Sequence, residues 1–313
     1  MANYLTIDGG TTNTRINLVL DKKVVDSVKL NIGVRANING NSEYKTEISN
    51  GIKALLKSND INESHIEKIL CSGMITSELG LLTLEHLKVP CGIDELSKGI
   101  CHVRMEEIST IPFAFIRGVK TECDSIDNAD MMRGEETEFI GICDKKDFGS
   151  VYVLPGSHSK IIYTDEKGRI YKFSTELSGE MIEAIANNTI LKEIIDLKNA
   201  ELEKDYLQLG YKYAKENGVN AAFFKVRILK NLFSCGANEL YSFFLGVALY
   251  HEVENIIKSP VKKVIIGGKK QLRIPMEFLL KNNSDKDVIC VDENTATYAA
   301  SYGMIKIYEH SPS

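Results

Sequence analysis

The feature that most constrains this chain is a strand, a glycine- and hydroxyl-rich turn and a second strand, written twice. Tyr4-Leu5-Thr6-Ile7 runs into Asp8-Gly9-Gly10-Thr11-Thr12-Asn13, then into residues 15–20 and, after the turn Asp21-Lys22-Lys23, into 24–30. Far downstream, residues 151–154 run into Pro155-Gly156-Ser157-His158-Ser159-Lys160, then into 161–164 and, after Asp165-Glu166-Lys167-Gly168, into 169–173. Aligning Lys160 with Arg15, 145 residues apart, lays Thr12-Asn13-Thr14-Arg15 over Ser157-His158-Ser159-Lys160, hydroxyl over hydroxyl and cation over cation. Identity is too low for a sequence repeat. Two such hairpins nevertheless predict two half-molecules that each present a polar turn, as a nucleotide phosphate chain gripped from two sides requires.

Elsewhere strands and helices alternate. Ile48, Ile52, Leu55 and Leu56 fall at helical spacing within residues 43–57, and residues 66–74 read as a buried strand ending in Ser72-Gly73. Residues 113–119 are another apolar run. Asp130 is the expected N-cap of a helix over 131–140, its carboxylate taking backbone N–H bonds at the positive end of the dipole. Helical patterns cover 179–197, 201–216 and 237–258. Residues 261–266 predict a strand running into Gly267-Gly268, and 288–291 another before Glu293-Asn294-Thr295 opens a last helix, whose small residues suit close packing or a hinge. This alternation indicates the α/β class. At about 150 residues per domain, 313 residues make two domains or one large one.

Composition removes several function classes. Against 43 Asp+Glu, 38 Lys+Arg leave a net charge of −5, so nucleic acid is not an expected partner and an anionic substrate needs basic groups gathered locally. Trp is absent, and Tyr and Phe are not interleaved with basic clusters as single-strand binders require. The seven cysteines (Cys71, Cys91, Cys101, Cys123, Cys143, Cys235, Cys290) form no C-x-x-C pair and read as reduced thiols of a cytoplasmic protein. Neither a basic leader with an apolar stretch nor a window of about 18 apolar residues is present, so no membrane partner is expected.

Three constellations carry chemistry. In Asp8–Asn13 consecutive glycines let backbone N–H groups converge on an oxyanion, the threonines add donors, and Asp8 can hold a metal ion against phosphates. The same dipeptides also make an ordinary hairpin turn, but the polar Thr-Asn-Thr-Arg run stands where a plain hairpin would resume alternation. In Pro155–Lys160 hydroxyls, an imidazole and an ammonium suit phosphate or carboxylate contact. A solvated loop is the alternative, and no carboxylate stands in sequence where it would orient His158 as a general base. Asp130, Arg133, Glu135 and Glu136 are what a phosphoryl-acceptor site uses, an acid for the hydroxyl proton and a cation for an anion, or else a solvated first turn with i,i+3 pairs.

The chain resembles the 2-dehydro-3-deoxygalactonokinase family, sugar-acid kinases on the actin/hexokinase/Hsp70-type ATPase fold. The resemblance runs end to end and rests on Ile7–Arg15, Gly73-Met74, Met132-Arg133-Gly134-Glu135-Glu136-Thr137, Val153–Lys160 and Ser178-Gly179-Glu180. It implies two ribonuclease-H-like lobes with an interdomain cleft. Residues 1–143 plus 294–313 would carry the first phosphate turn and substrate site, and 144–293 the second phosphate turn and adenosine site. Gly9, Gly10, Thr11, Thr12 and Asn13 would hold ATP phosphates, with Asp8 as the magnesium-linked catalytic acid. Gly156, Ser157, His158 and Lys160 would form the second turn, and Gly267 and Gly268 would lie against the adenosine.

Asp130, placed like the aspartate that opens the catalytic helix of related sugar kinases, is the implied general base, with Arg133 beside it. Arg15, Arg133 and Lys160 are candidates to meet the substrate carboxylate or the phosphoryl group, and Arg15, Glu135 and Glu136 to bind the sugar acid. The implied reaction uses ATP and Mg2+ to phosphorylate the terminal hydroxyl of a small-molecule partner, 2-dehydro-3-deoxygalactonate; a homodimer is left open. Two departures stand out. Gly9 replaces a bulky aromatic of many relatives, implying a wider substrate rim and allowing a related 2-keto-3-deoxy acid as acceptor. Lys269-Lys270-Gln271 follows Gly267-Gly268 where small hydroxyl residues are more usual, which admits a non-catalytic nucleotide or sugar-acid sensor.

Overall fold

The computed structural model describes every residue except Met1, Gly40, Asn41, Cys123, Pro312 and Ser313, so one of the seven cysteines lies outside the described residues. The chain divides into two compact units. The first comprises Met1–Phe148, Thr164–Phe173 and Asn294–Ser313, the second Gly149–Tyr163 and Ser174–Glu293. The boundary expected after residue 143 falls after 148. The hairpin tip 164–173, expected with the second lobe, clusters with the first because Cys91 and Ile170 exchange backbone hydrogen bonds at 2.9 and 2.8 Å.

In the first unit β1 (Tyr4–Gly9), β2 (Thr14–Leu20) and β3 (Lys23–Leu30) form an antiparallel meander, followed by α1 (Ser42–Ser58) and β4 (Lys68–Gly73). Then come β5 (Leu87–Lys88), α2 (Ile93–Lys98), β6 (Cys101–Val103), β7 (Phe113–Phe115), β8 (Val119–Lys120), β9 (Met131–Met132) and α3 (Glu135–Ile142). The main sheet has the order β3-β2-β1-β4-β7-β6, with β1, β4 and β7 parallel; β5, β8 and β9 make a small separate sheet. β1 is buried almost throughout, as a central strand covered on both faces should be, whereas the edge strand β3 alternates between exposed and half-buried positions. Ile48, Ile52, Leu55 and Leu56 of α1 pack with Leu5, Ile7, Ile16 and Leu18 in one core.

The chain then runs through β10 (Val151–Leu154), β11 (Ser159–Thr164), β12 (Ile170–Glu176), α4 (Ser178–Asn188), α5 (Lys204–Asn217) and α6 (Val219–Phe233). It continues through α7 (Ala237–Ala248), α8 (Tyr250–Lys258), β13 (Lys263–Ile266), α9 (Lys270–Asn283) and β14 (Asp287–Cys290), and α10 (Glu293–Glu309) ends the chain. The second sheet, β12-β11-β10-β13-β14, repeats the strands β3-β2-β1-β4-β7 of the first, an antiparallel hairpin outside and then parallel strands, and lacks only a counterpart of the antiparallel edge strand β6. The two hairpins read from the sequence are therefore corresponding edge hairpins of two sheets with one topology. The correspondence exposes one asymmetry. Asp8 stands opposite Arg15, but the residue opposite Lys160 is Leu154, so only the first turn follows a carboxylate.

Candidate active site

The first turn is closed by the Gly10 N–H on the Asn13 carbonyl at 2.9 Å, and Val34 and Arg35 N–H groups hold the Gly10 and Thr11 carbonyls at 3.2 Å. Thr12 and Asn13 are exposed and Thr11 half-buried, so hydroxyls and backbone face outward from the strand end. Gly9 does not widen a rim. A Cβ there would meet the Ile75 Cβ at 2.6 Å and the Tyr44 hydroxyl at 3.0 Å, so other side chains already fill the space expected to be open.

Asp8, the last residue but one of β1, has Arg15 across one register and Ser72 across the other. Two glycines with positive φ shape its surroundings: Gly73 (φ 89°) and Gly134 (φ 110°). A Cβ on Gly73 would lie 3.0 Å from Asp8 Oδ1, and one on Gly134 would lie 3.3 Å from the Gly73 Cα and 4.0 Å from the same oxygen. Both sites thus select glycine for backbone conformation and for room beside the carboxylate. No described residue donates a hydrogen bond to that carboxylate. Burial pushes the Asp8 pKa up to about 6, Arg15 opposing and Glu135 adding to the rise.

The start of α3 differs from the expected one. The helix opens at Glu135 after Gly134, not at Asp130. Asp130 lies at the end of a hairpin, where its N–H donates to Thr121 Oγ1 at 2.7 Å and its Oδ1 accepts the Met131 N–H at 2.7 Å. Glu135 accepts the Arg133 N–H at 3.1 Å.

Neither Glu136 nor Arg133 is disposed as expected. Glu136 is 0% exposed, and its carboxyl takes the Gly134 N–H at 2.8 and 3.0 Å and the Ser72 hydroxyl at 3.2 Å, so it braces the Asp8 crease from within. The Arg133 guanidinium holds the Thr76 carbonyl and hydroxyl at 2.9 Å and the Leu84 carbonyl at 2.7 Å, anchoring the segment from 76 to 86. Arg15, by contrast, is exposed.

Burial, then Glu135, pushes the Glu136 carboxyl up to about 8 against the hydrogen bonds that lower it. The folded chain therefore keeps a proton that the unfolded chain releases near 4.5. Stability from this group is complete below that value and declines as pH climbs towards the folded one. Glu136→Gln, which cannot ionise, should gain stability relative to the parent chain between about pH 5 and about pH 8. A Tm difference that stays constant over that range would refute a buried protonated Glu136.

In the second turn Ser157 and His158 are exposed. The turn lies on the start of α4: the Gly179 N–H donates to Gly156 O at 3.1 Å and the Glu180 N–H to Ser157 O at 3.2 Å. A Cβ on Gly179 would fall 2.4 Å from that Gly156 oxygen. Glu180 Oε1 sits 3.0 Å from His158 Nε2, supplying the orienting carboxylate missing from the local sequence. Lys160, the cation expected to meet a phosphate, is only 3% exposed, inside the β11 pairing. Lys269 is better placed. It is exposed, and its Nζ is 3.5 Å from Ser157 Oγ. Gly267 and Gly268 follow the same loop, with the Gly267 N–H on Val153 O and the Lys269 N–H on Pro155 O, both at 2.9 Å.

Among the described residues, no group of three or more His, Cys, Asp or Glu side chains could hold a metal ion, and no helix is long and apolar enough to cross a membrane. The sequence profile of the 2-keto-3-deoxy-galactonokinase family matches residues 8–304. A 2-dehydro-3-deoxygalactonokinase of Escherichia coli (strain K12) is 27% identical over 262 residues, 82% of this chain and 80% of that one. Among solved structures, a Sinorhizobium meliloti protein described as a 2-dehydro-3-deoxygalactonokinase superposes with a TM-score of 0.78 at 19% identity, covering 97% of both chains. Component A of the Acidaminococcus fermentans (R)-2-hydroxyglutaryl-CoA dehydratase superposes with a TM-score of 0.52 at 15% identity over 98% of this chain and 97% of that one. These structural likenesses identify the fold as that of the actin-like ATPases.

Proposed function

The chain belongs to the 2-keto-3-deoxy-galactonokinase family, and from that membership we propose that it transfers the γ-phosphoryl group of ATP to the terminal (6-) hydroxyl of 2-dehydro-3-deoxy-D-galactonate. The observation that carries the reading is Glu135 at the first position of α3, beside the Asp8 crease. A carboxylate there can take the hydroxyl proton as the acceptor oxygen attacks, a contribution of about 10²- to 10⁴-fold in rate. Arg15, exposed next to Asp8 in register, is the cation for the substrate carboxylate or the transferred phosphoryl group. The first turn offers the Thr11 and Thr12 hydroxyls and the exposed Asn13 to phosphate oxygens. Ser157, His158 held by Glu180, and Lys269 do the same in the second unit.

A magnesium ion fits the donor set. Asp8 keeps an oxygen that no described side chain bonds, in a crease too narrow for a Cβ, and a hard cation that retains its waters needs only one or two such carboxylates. It would neutralise phosphate charge beside Asp8. The filled space at Gly9 removes the reason for a widened acceptor site, which favours the galactonate-derived acid over its relatives. The test is ADP release, measured by a coupled assay with a panel of 2-keto-3-deoxy acids. Steady turnover with 2-dehydro-3-deoxygalactonate at the highest kcat/KM is expected. Binding without turnover across the panel would instead indicate a sensor, and hydrolysis independent of any acid a bare ATPase.

A further inference from the structure

Glu252 is 1% exposed on α8. Its Oε1 accepts the Ser159 hydroxyl and its Oε2 the Ser178 hydroxyl, each at 2.6 Å. Ser159 is the first residue of β11, directly after the exposed Ser157-His158 pair. Ser178 is the first residue of α4, directly before Gly179-Glu180, whose N–H groups hold the Gly156 and Ser157 carbonyls. One carboxylate thus grips the point where the turn re-enters the sheet and the helix on which the turn rests. Burying a carboxylate costs more than burying an apolar side chain of the same volume, so packing alone does not account for it. Its two oxygens instead match two hydroxyls that would otherwise be buried without partners.

We propose that Glu252 is a positioning residue: by fixing Ser159 and Ser178 together it sets Ser157 and His158 where they meet a nucleotide phosphate. The proposal rests on residues 155–160 being a phosphate turn. Glu252→Gln can keep both contacts, its carbonyl accepting from Ser159 and its amide donating to Ser178. Glu252→Met loses both, and Ser178→Ala removes the far arm without touching the turn. ADP affinity by calorimetry and the two KM values separate the outcomes. Glu252→Gln should bind ADP within about twofold of the parent chain. Glu252→Met and Ser178→Ala should weaken ADP and raise the KM for ATP about tenfold, with the KM for the sugar acid unchanged.

Should Glu252→Met not fold, Ser178→Ala and Ser159→Ala carry the test. A lowered Tm with ADP affinity and the KM for ATP within about twofold of the parent would overturn the proposal, leaving Glu252 a stability residue. Parallel shifts in both KM values would overturn it too. A parent chain that fails to bind ADP would overturn the phosphate-turn reading itself, a result distinct from a parent that binds and variants that match it.

Discussion

Glu135→Gln should lower kcat by about 10²- to 10⁴-fold while leaving ADP binding and Tm near those of the parent chain, and Asp130→Asn should keep most of the turnover. The expectation follows from where α3 begins. Gly134, at φ 110°, turns the chain so that Glu135 is the first helical residue, while the Gly134 N–H is held by Glu136. The helix N-terminus and the Asp8 crease therefore come together at Glu135, close enough for its charge to raise the Asp8 pKa. Gln is isosteric and keeps an acceptor for the Arg133 N–H, so the expected loss is that of proton transfer rather than of structure. Asp130 stands five residues before Glu135, its side chain turned onto the Met131 N–H. If Asp130→Asn abolished turnover and Glu135→Gln did not, the base would be Asp130 and the helix start irrelevant to it.

The shift of the helix start from Asp130 to Glu135 shows what the sequence can and cannot carry. A side-chain cap is a local signal, and Asp130 before an apolar run is the better one. Gly134 as a cap works through a backbone angle and through its packing on Gly73, a partner 61 residues away that no local pattern reveals. The edge hairpins were legible because their signal, alternation broken by a glycine turn, lies within about 30 residues. Charges are ambiguous for the opposite reason. Arg133, Glu136 and Lys160 have the chemistry of a site, but burial decides whether a charge faces a ligand or braces a loop, and burial is set by elements far apart in the chain. His158 and Glu180, 22 residues apart, meet only because the turn lies on the start of α4. In α9 an internal proline, Pro275, argues locally against the helix that forms. The pattern read as one helix over 237–258 divides at Leu249 into α7 and α8, which places Glu252 in the first turn of a separate helix.

Gly303→Ala should cost about 3 kcal/mol of stability although alanine is the better helix former by about 1 kcal/mol. The small residues of α10 serve close packing: a Cβ on Gly303 would fall 1.8 Å from the Thr137 carbonyl oxygen, and one on Gly141 would fall 1.9 Å from that of Ala299. The backbones of α3 and α10 touch at two points, one turn apart on each helix. No side-chain rotation relieves a methyl against a carbonyl, so the helices must separate. Separation would strain the buried Thr6–Ser301–Asn17 hydrogen bonds and draw Lys306 from the Ile140 and Gly141 carbonyls that it holds at 3.0 and 2.9 Å. It would also tilt the helix that presents Glu135, so kcat should fall at temperatures where the variant remains folded. Gly236→Ala is the control. Its Cβ would meet nothing nearer than a flexible Glu239 oxygen at 3.8 Å, and a loss below about 1 kcal/mol is expected. Urea unfolding of the two variants decides between them: a Gly303→Ala midpoint as close to the parent as that of Gly236→Ala would mean that α3 and α10 are not locked backbone to backbone.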